Sequence, residues 1–101
     1  MTKILLVCSA GMSTSLMVNK MKESAKEKGL EVEIWAVADA EADSNIQKAD
    51  IMMLGPQVRF LESKMKEIAG DKPVVVIDMV AYGTMNGAKV LEQALISLKK
   101  E

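Results

Sequence analysis

Four short apolar runs, at residues 3–7, 31–37, 51–54 and 74–77, are separated by segments that read as helices, and this alternation restricts the chain more than any other feature. Runs of this length bounded by turn residues are strands. Between the first two, Met17, Met21 and Ala25 recur at i+4 with Val18 on the same flank, and Gly29 supplies a stop. The third connection repeats Val58, Leu61, Met65 and Ile68, and the final segment Ala88, Leu91, Leu95 and Leu98, so both predict helices that cover a sheet. The second connection, 39–48, is shorter and more polar and predicts a loop with a brief helix, its acidic residues solvated.

Strands that alternate with helices build a parallel sheet with right-handed crossovers and helices on both faces. The runs at 4–7, 51–54 and 74–77 are apolar throughout, as buried strands are, whereas Val32, Glu33, Ile34 and Trp35 partly alternate, as an edge strand does. The expected fold class is therefore α/β, a single domain over 1–101 with a four-stranded parallel sheet of order 2-1-3-4. Half of the residues are hydrophobic, enough for one core in a chain of 101 residues. In such sheets ligands sit beyond the carboxyl ends of the strands where the winding reverses, here between the first and third strands. Three loops converge there: Cys8 to Ser15, Gly55-Pro56-Gln57, and Asp78 through Tyr82-Gly83.

Cys8 is the sole cysteine, and topology alone brings it to this crevice. Small and hydroxyl residues follow it in the order Ser9-Ala10-Gly11-Met12-Ser13-Thr14-Ser15. Such a loop turns backbone N–H groups inward and opens onto the positive end of a helix, which suits phosphate. The same field favours thiolate over thiol. The alternative is a cysteine that merely ends a buried strand, but packing requires neither the glycine nor three hydroxyls so close behind it.

Much else is excluded. The chain has no histidine, which removes Ser-His-Asp and Cys-His catalysis and the commonest metal ligand together. One cysteine builds neither an intrachain disulfide nor a zinc site, and no cofactor is expected. A net charge of −1 and only three aromatics, Trp35, Phe60 and Tyr82, argue against nucleic acid as partner. No run is apolar and long enough to span a bilayer, so a cytoplasmic protein without membrane insertion is expected.

The loop chemistry points away from hydrolysis. A cysteine phosphatase needs an arginine at the sixth residue after its cysteine to clamp the phosphoryl oxygens. Thr14 stands there instead, and 9–15 carry no charge. The loop can therefore bind a phosphoryl group through N–H and hydroxyl donors without the clamp that hydrolysis demands. Gly11 lacks the second glycine and Lys-Ser/Thr pair of a nucleotide P-loop, so phosphate would arrive on a protein or a small donor.

The eight residues from Cys8 to Ser15, then Leu54-Gly55-Pro56-Gln57, then Val76-Ile77-Asp78 with Tyr82-Gly83, resemble the enzyme IIB component of the bacterial sugar phosphotransferase system, lactose/cellobiose class. The resemblance spans essentially the whole chain. It implies a fold shared with low-molecular-weight tyrosine phosphatases, and a relay in which phosphohistidine of enzyme IIA donates to Cys8 and phospho-Cys8 donates to a sugar carried by the membrane component IIC. Cellobiose or chitobiose is the implied sugar, with lactose the alternative.

Under this resemblance Cys8 is nucleophile and carrier, and Ser9, Ala10, Gly11, Met12, Ser13, Thr14 and Ser15 form the phosphate loop. Met12 is an apolar contact for IIA or IIC, and helix capping is the competing role for each hydroxyl. Gln57 and Tyr82 border the crevice as second-rank contacts. Asp78 reads as a turn or helix cap rather than a general acid, Lys20 as solvated, and Met17, Met21 and Met65 as core gap-fillers. The amphipathic patterns are satisfied within one sheet, so a monomer with transient partners is expected. The rivals are a low-molecular-weight phosphatase or arsenate-reductase-like enzyme, and a non-catalytic regulatory module.

Overall fold

The structure, a computed structural model, describes residues 1–8 and 12–99, and for Met12 and Ser13 the backbone alone. Its strands are β1 (Thr2–Cys8), β2 (Val32–Ala38), β3 (Ile51–Leu54) and β4 (Val74–Val76). They form one parallel sheet in the order β2-β1-β3-β4, as the βα alternation requires. β1 runs beside β2 from Thr2 opposite Val32 to Cys8 opposite Ala38, and beside β3 from Ile4 opposite Ile51 to Val7 opposite Leu54. Cys8 is thus the last residue of β1, one step beyond its pairing with β3.

Side chains of successive strand residues point to opposite faces, and the fully apolar β1 has a helix layer on each. Ile4 and Leu6 pack with Met17 and Met21 of α1 (Met12–Glu27) and with Val90 and Leu91 of α5 (Gly87–Lys99). Leu5 and Val7 pack with Ile46 of α2 (Ala42–Ile46) and with Val58 and Met65 around α3 (Glu62–Ala69). All three methionines expected in the core are there. A further short helix, α4 (Met79–Gly83), follows β4.

Two helical faces differ from the expected ones. In α5 the buried positions are Gly87, Val90, Leu91 and Ala94; Ala88 is exposed, and Leu95 and Leu98 are half-buried. The stripe is rotated because α5 must lie against α1 as well as the sheet. A Cβ at Gly87 would overlap the backbone of Lys20, so the helices cross there with no room for a side chain. The connection after β3 is broken rather than continuous. Pro56–Leu61 is a 3-10 segment with a non-helical residue, Val58, at φ −116°, and only then does α3 begin, leaving Ile68 exposed. A proline just beyond β3 fixes the tight first turn, and the kink turns Val58 into the core.

The polar second connection contains a 3-10 turn, Asp39–Glu41, and α2, with Asp39, Glu41 and Asp43 all exposed. Five residues are too few for a self-supporting helix, so its stability comes from tertiary contacts. Lys72 Nζ donates to the carbonyls of Ile46 at 2.8 Å and Gln47 at 3.0 Å at the end of α2, and Trp35 Nε1 on β2 donates to Asn45 Oδ1 at 3.0 Å.

Candidate functional site

The carboxyl edge of the sheet collects three strand ends. Cys8 sits at the middle, 2% exposed. Of the loop that follows it, Ser9, Ala10 and Gly11 lie outside the described residues, as do the side chains of Met12 and Ser13. Thr14, in the first turn of α1, is buried, whereas Ser15 is exposed.

The second strand end approaches from β3. Gly55 N–H donates to the Val7 carbonyl at 2.9 Å and so continues the sheet alongside Cys8. Its backbone is extended, at φ −61° and ψ 149°, a conformation open to any residue, so what glycine supplies here is space rather than backbone freedom. A Cβ at Gly55 would stand 2.6 Å from Gln57 Oε1 and 3.5 Å from Cys8 Cβ. The Gln57 amide therefore folds back over Gly55 into the gap beside Cys8.

The third end comes from β4. Ile77 N–H donates to the Leu54 carbonyl at 2.8 Å, and the chain then turns into α4. Asp78 Oδ2 accepts from Ala81 N–H at 2.9 Å, an N-cap, so Asp78 has the capping role expected of it. Gln93 of α5 completes the turn: its Oε1 accepts from Asp78 N–H at 3.0 Å and its Nε2 donates to the Val76 carbonyl at 2.8 Å. One amide side chain thus occupies the donor and the acceptor that another strand would otherwise take. With α4 held at its start, Tyr82 is directed inward and is 8% exposed.

The three strand ends meet at the Tyr82 hydroxyl. Gln57 Nε2 donates to it at 3.2 Å, and it shares a hydrogen bond of 3.4 Å with Thr14 Oγ1. Thr14, Gln57 and Tyr82, three of the residues singled out from sequence, are therefore brought together by contacts that span up to 68 positions of chain. Lys20 is exposed, and its backbone and Cβ lie against Gly87.

Sequence reasoning missed two contributions. Gln93 carries no local signal, since a polar residue on an amphipathic helix looks like any solvated one. The other is a set of exposed apolar side chains that follow the strands' carboxyl ends: Leu16 in α1, Phe60 after β3 at 76% exposure, and Met79 and Val80 in α4, Val80 at 73%. A hydrophobic residue opening a helix just past a strand, as Met79-Val80 does, was the available clue. A groove of about 410 Å³ lies elsewhere, against β4 and α5, lined by Asp78, Lys89, Glu92, Gln93, Ile96 and Ser97, charges of both signs. Among the described residues no group of three or more His, Cys, Asp or Glu is placed to hold a metal.

A four-stranded parallel sheet of order β2-β1-β3-β4 with helices on both faces, and a cysteine at the end of β1 where the winding reverses, defines a class of α/β domains. Comparison of the whole chain narrows that class. Residues 3–93 match the family of the PTS system, Lactose/Cellobiose specific IIB subunit, and the chain belongs to that family. It is 53% identical over 97 residues to the PTS system oligo-beta-mannoside-specific EIIB component of Bacillus subtilis, covering 94% of each chain. The solution structure of the cellobiose-specific phosphotransferase IIB component of Borrelia burgdorferi matches with a TM-score of 0.81 and 38% identity, over 98% of this chain and 93% of that one. A YwlE mutant from Bacillus subtilis shares the fold alone, with a TM-score of 0.63 and 18% identity over 98% and 99% of the two chains.

Proposed function

We propose that Cys8 is the phosphoryl carrier of this IIB component, taking the group from phosphohistidine on enzyme IIA and passing it to a sugar held by the membrane component IIC. In the first step the Cys8 sulfur attacks phosphorus in line: an S–P bond forms, the N–P bond breaks, and the imidazole leaves with the electron pair. In the second a sugar hydroxyl attacks the same phosphorus. An O–P bond forms, the S–P bond breaks, and the thiolate is restored while the hydroxyl proton passes to solvent. Both steps need positioning and charge compensation more than acid or base catalysis, which suits a chain without histidine.

The observation that carries this reading is the position of Cys8, at the end of the strand where the winding reverses, with Gln57, Tyr82 and Thr14 gathered beside it from three strand ends. Ser9 to Ser15 then supply N–H and hydroxyl donors to the phosphoryl oxygens, Gly11 giving close approach and the uncharged loop leaving the group transferable. Leu16, Phe60, Met79 and Val80, exposed on the segments that follow the strand ends, suit transient docking of two successive partners by a monomer. That role belongs to the cytoplasmic side of the membrane. Among the described residues no helix is long and apolar enough to cross a bilayer. The sugar class of relatives, oligo-beta-mannoside in one and cellobiose in another, makes a β-linked oligosaccharide of cellobiose or chitobiose type the acceptor that fits best.

Intact mass spectrometry after incubation with phosphoenolpyruvate and the upstream relay proteins tests the carrier. One phosphoryl group on the wild type and none on Cys8→Ser is the expected result; equal uptake by both would end the proposal. Steady release of inorganic phosphate from an aryl phosphate would instead favour the phosphatase alternative.

A further inference from the structure

The bonds around Tyr82 form a device with a specific order. Gly55 lacks a side chain where one would meet Gln57 Oε1 at 2.6 Å, so the Gln57 amide can lie back across the end of β3. From there its Nε2 reaches the Tyr82 oxygen at 3.2 Å, and the same oxygen meets Thr14 Oγ1 at 3.4 Å. A threonine in the first turn of a helix has more than one rotamer, because its hydroxyl can also turn to a backbone carbonyl. A buried partner selects one of them. Tyr82 is itself held through α4 by the Asp78 cap and through Asp78 by Gln93.

We propose that Tyr82 is a positioning residue for phosphoryl transfer, fixing the rotamer of the Thr14 hydroxyl, and that the space left by Gly55 lets Gln57 hold Tyr82 in that place. This rests on the carrier function of Cys8. Tyr82 acts through Thr14 and touches neither donor nor acceptor. At 3.4 Å the Tyr82–Thr14 bond is long for two hydroxyls, so it contributes little to stability.

The test is the initial rate at which phosphorylated IIA transfers to the full chain, followed by intact mass. Tyr82→Phe keeps the ring and removes the hydroxyl, and lowers the rate about 3- to 10-fold, the effect of one neutral hydrogen bond. Thr14→Val lowers it by a similar factor, and Thr14→Ser, which retains the hydroxyl, stays near wild type. The double variant Tyr82→Phe/Thr14→Val is no slower than Thr14→Val alone, since one pathway is broken twice. In the same way Gly55→Ala slows transfer as Gln57→Ala does and adds nothing to it. Wild-type rates in Tyr82→Phe, or losses that multiply in the double variant, overturn the inference while leaving the carrier intact. A wild-type chain that accepts no phosphoryl group removes the carrier reading, and this inference with it.

Discussion

The segments following β1 and β4 serve one crevice in opposite ways. After β1 the chain places Cys8 and its hydroxyl-rich continuation in eight consecutive residues, each of them small, thiol-bearing, hydroxyl-bearing or apolar. After β4 the chain offers no nucleophile. It supplies anchors instead: a carboxylate on Ala81 N–H, a glutamine from α5 on two backbone groups, and a buried phenol that reaches back to Gln57 and Thr14. Reactive groups can be neighbours in sequence because chemistry acts over a bond length. The groups that hold them still come from elsewhere, because rigidity requires contacts between elements with separate attachments to the core.

That contrast can be broken first at its reactive side. Cys8→Ser abolishes phosphoryl uptake in the mass-spectrometric assay, yet leaves the thermal midpoint within a few degrees of wild type, because an oxygen replaces sulfur at nearly the same volume. A large fall in midpoint would mean that Cys8 serves packing. The second break is at the joint between the two regions, where α5 crosses α1. Gly87→Val places carbons against the Lys20 backbone and destabilises by about 2–3 kcal/mol, an overpacking penalty at the upper end of its range. Calorimetry should find the midpoint lowered by roughly 10 °C or more. An unchanged midpoint would show that the helices can separate freely.

Asp78→Ala removes the α4 cap, a change of about 1 kcal/mol, read as a midpoint fall of about 4–8 °C. Transfer slows with it through Tyr82, whereas Asp78→Asn, which can still accept from Ala81 N–H, retains most of both properties. Equal loss in the two variants would assign Asp78 a charge-dependent role in place of capping. The smallest effect belongs to the surface. Val80→Ser leaves stability within about 0.5 kcal/mol because the side chain is 73% exposed, and raises the KM for phosphorylated IIA a few-fold without changing kcat. A kcat loss with constant KM would move Val80 from docking to positioning.

Much of this was legible in the chain itself. Strand positions, the parallel order with β2 at one edge, the inward methionines of α1 and α3, and Cys8 at the switch point all follow from period and from the handedness of crossovers, which are local or nearly universal constraints. The errors have a common origin. Spacing alone puts Ala88 and Leu95 on a buried stripe, but spacing fixes a face relative to its own helix and not to the neighbour it meets; Gly87 against Lys20 decides the rotation. Ile68 fell out of the core because Pro56 and the kink at Val58 reset the helix after β3.

By itself, then, the sequence determined which residue is the candidate nucleophile and at which end of which strand it stands, since one cysteine, no histidine and an alternating βα pattern leave few other arrangements. Only the tertiary structure decided what holds the residues around it: that Gln57 lies over Gly55, how Gln57 and Thr14 come to share Tyr82, and that Gln93 pins the turn after β4. The reason is physical. A hydrogen bond between residues 68 positions apart leaves no trace in local composition or period, because it depends on how separately folded elements are docked.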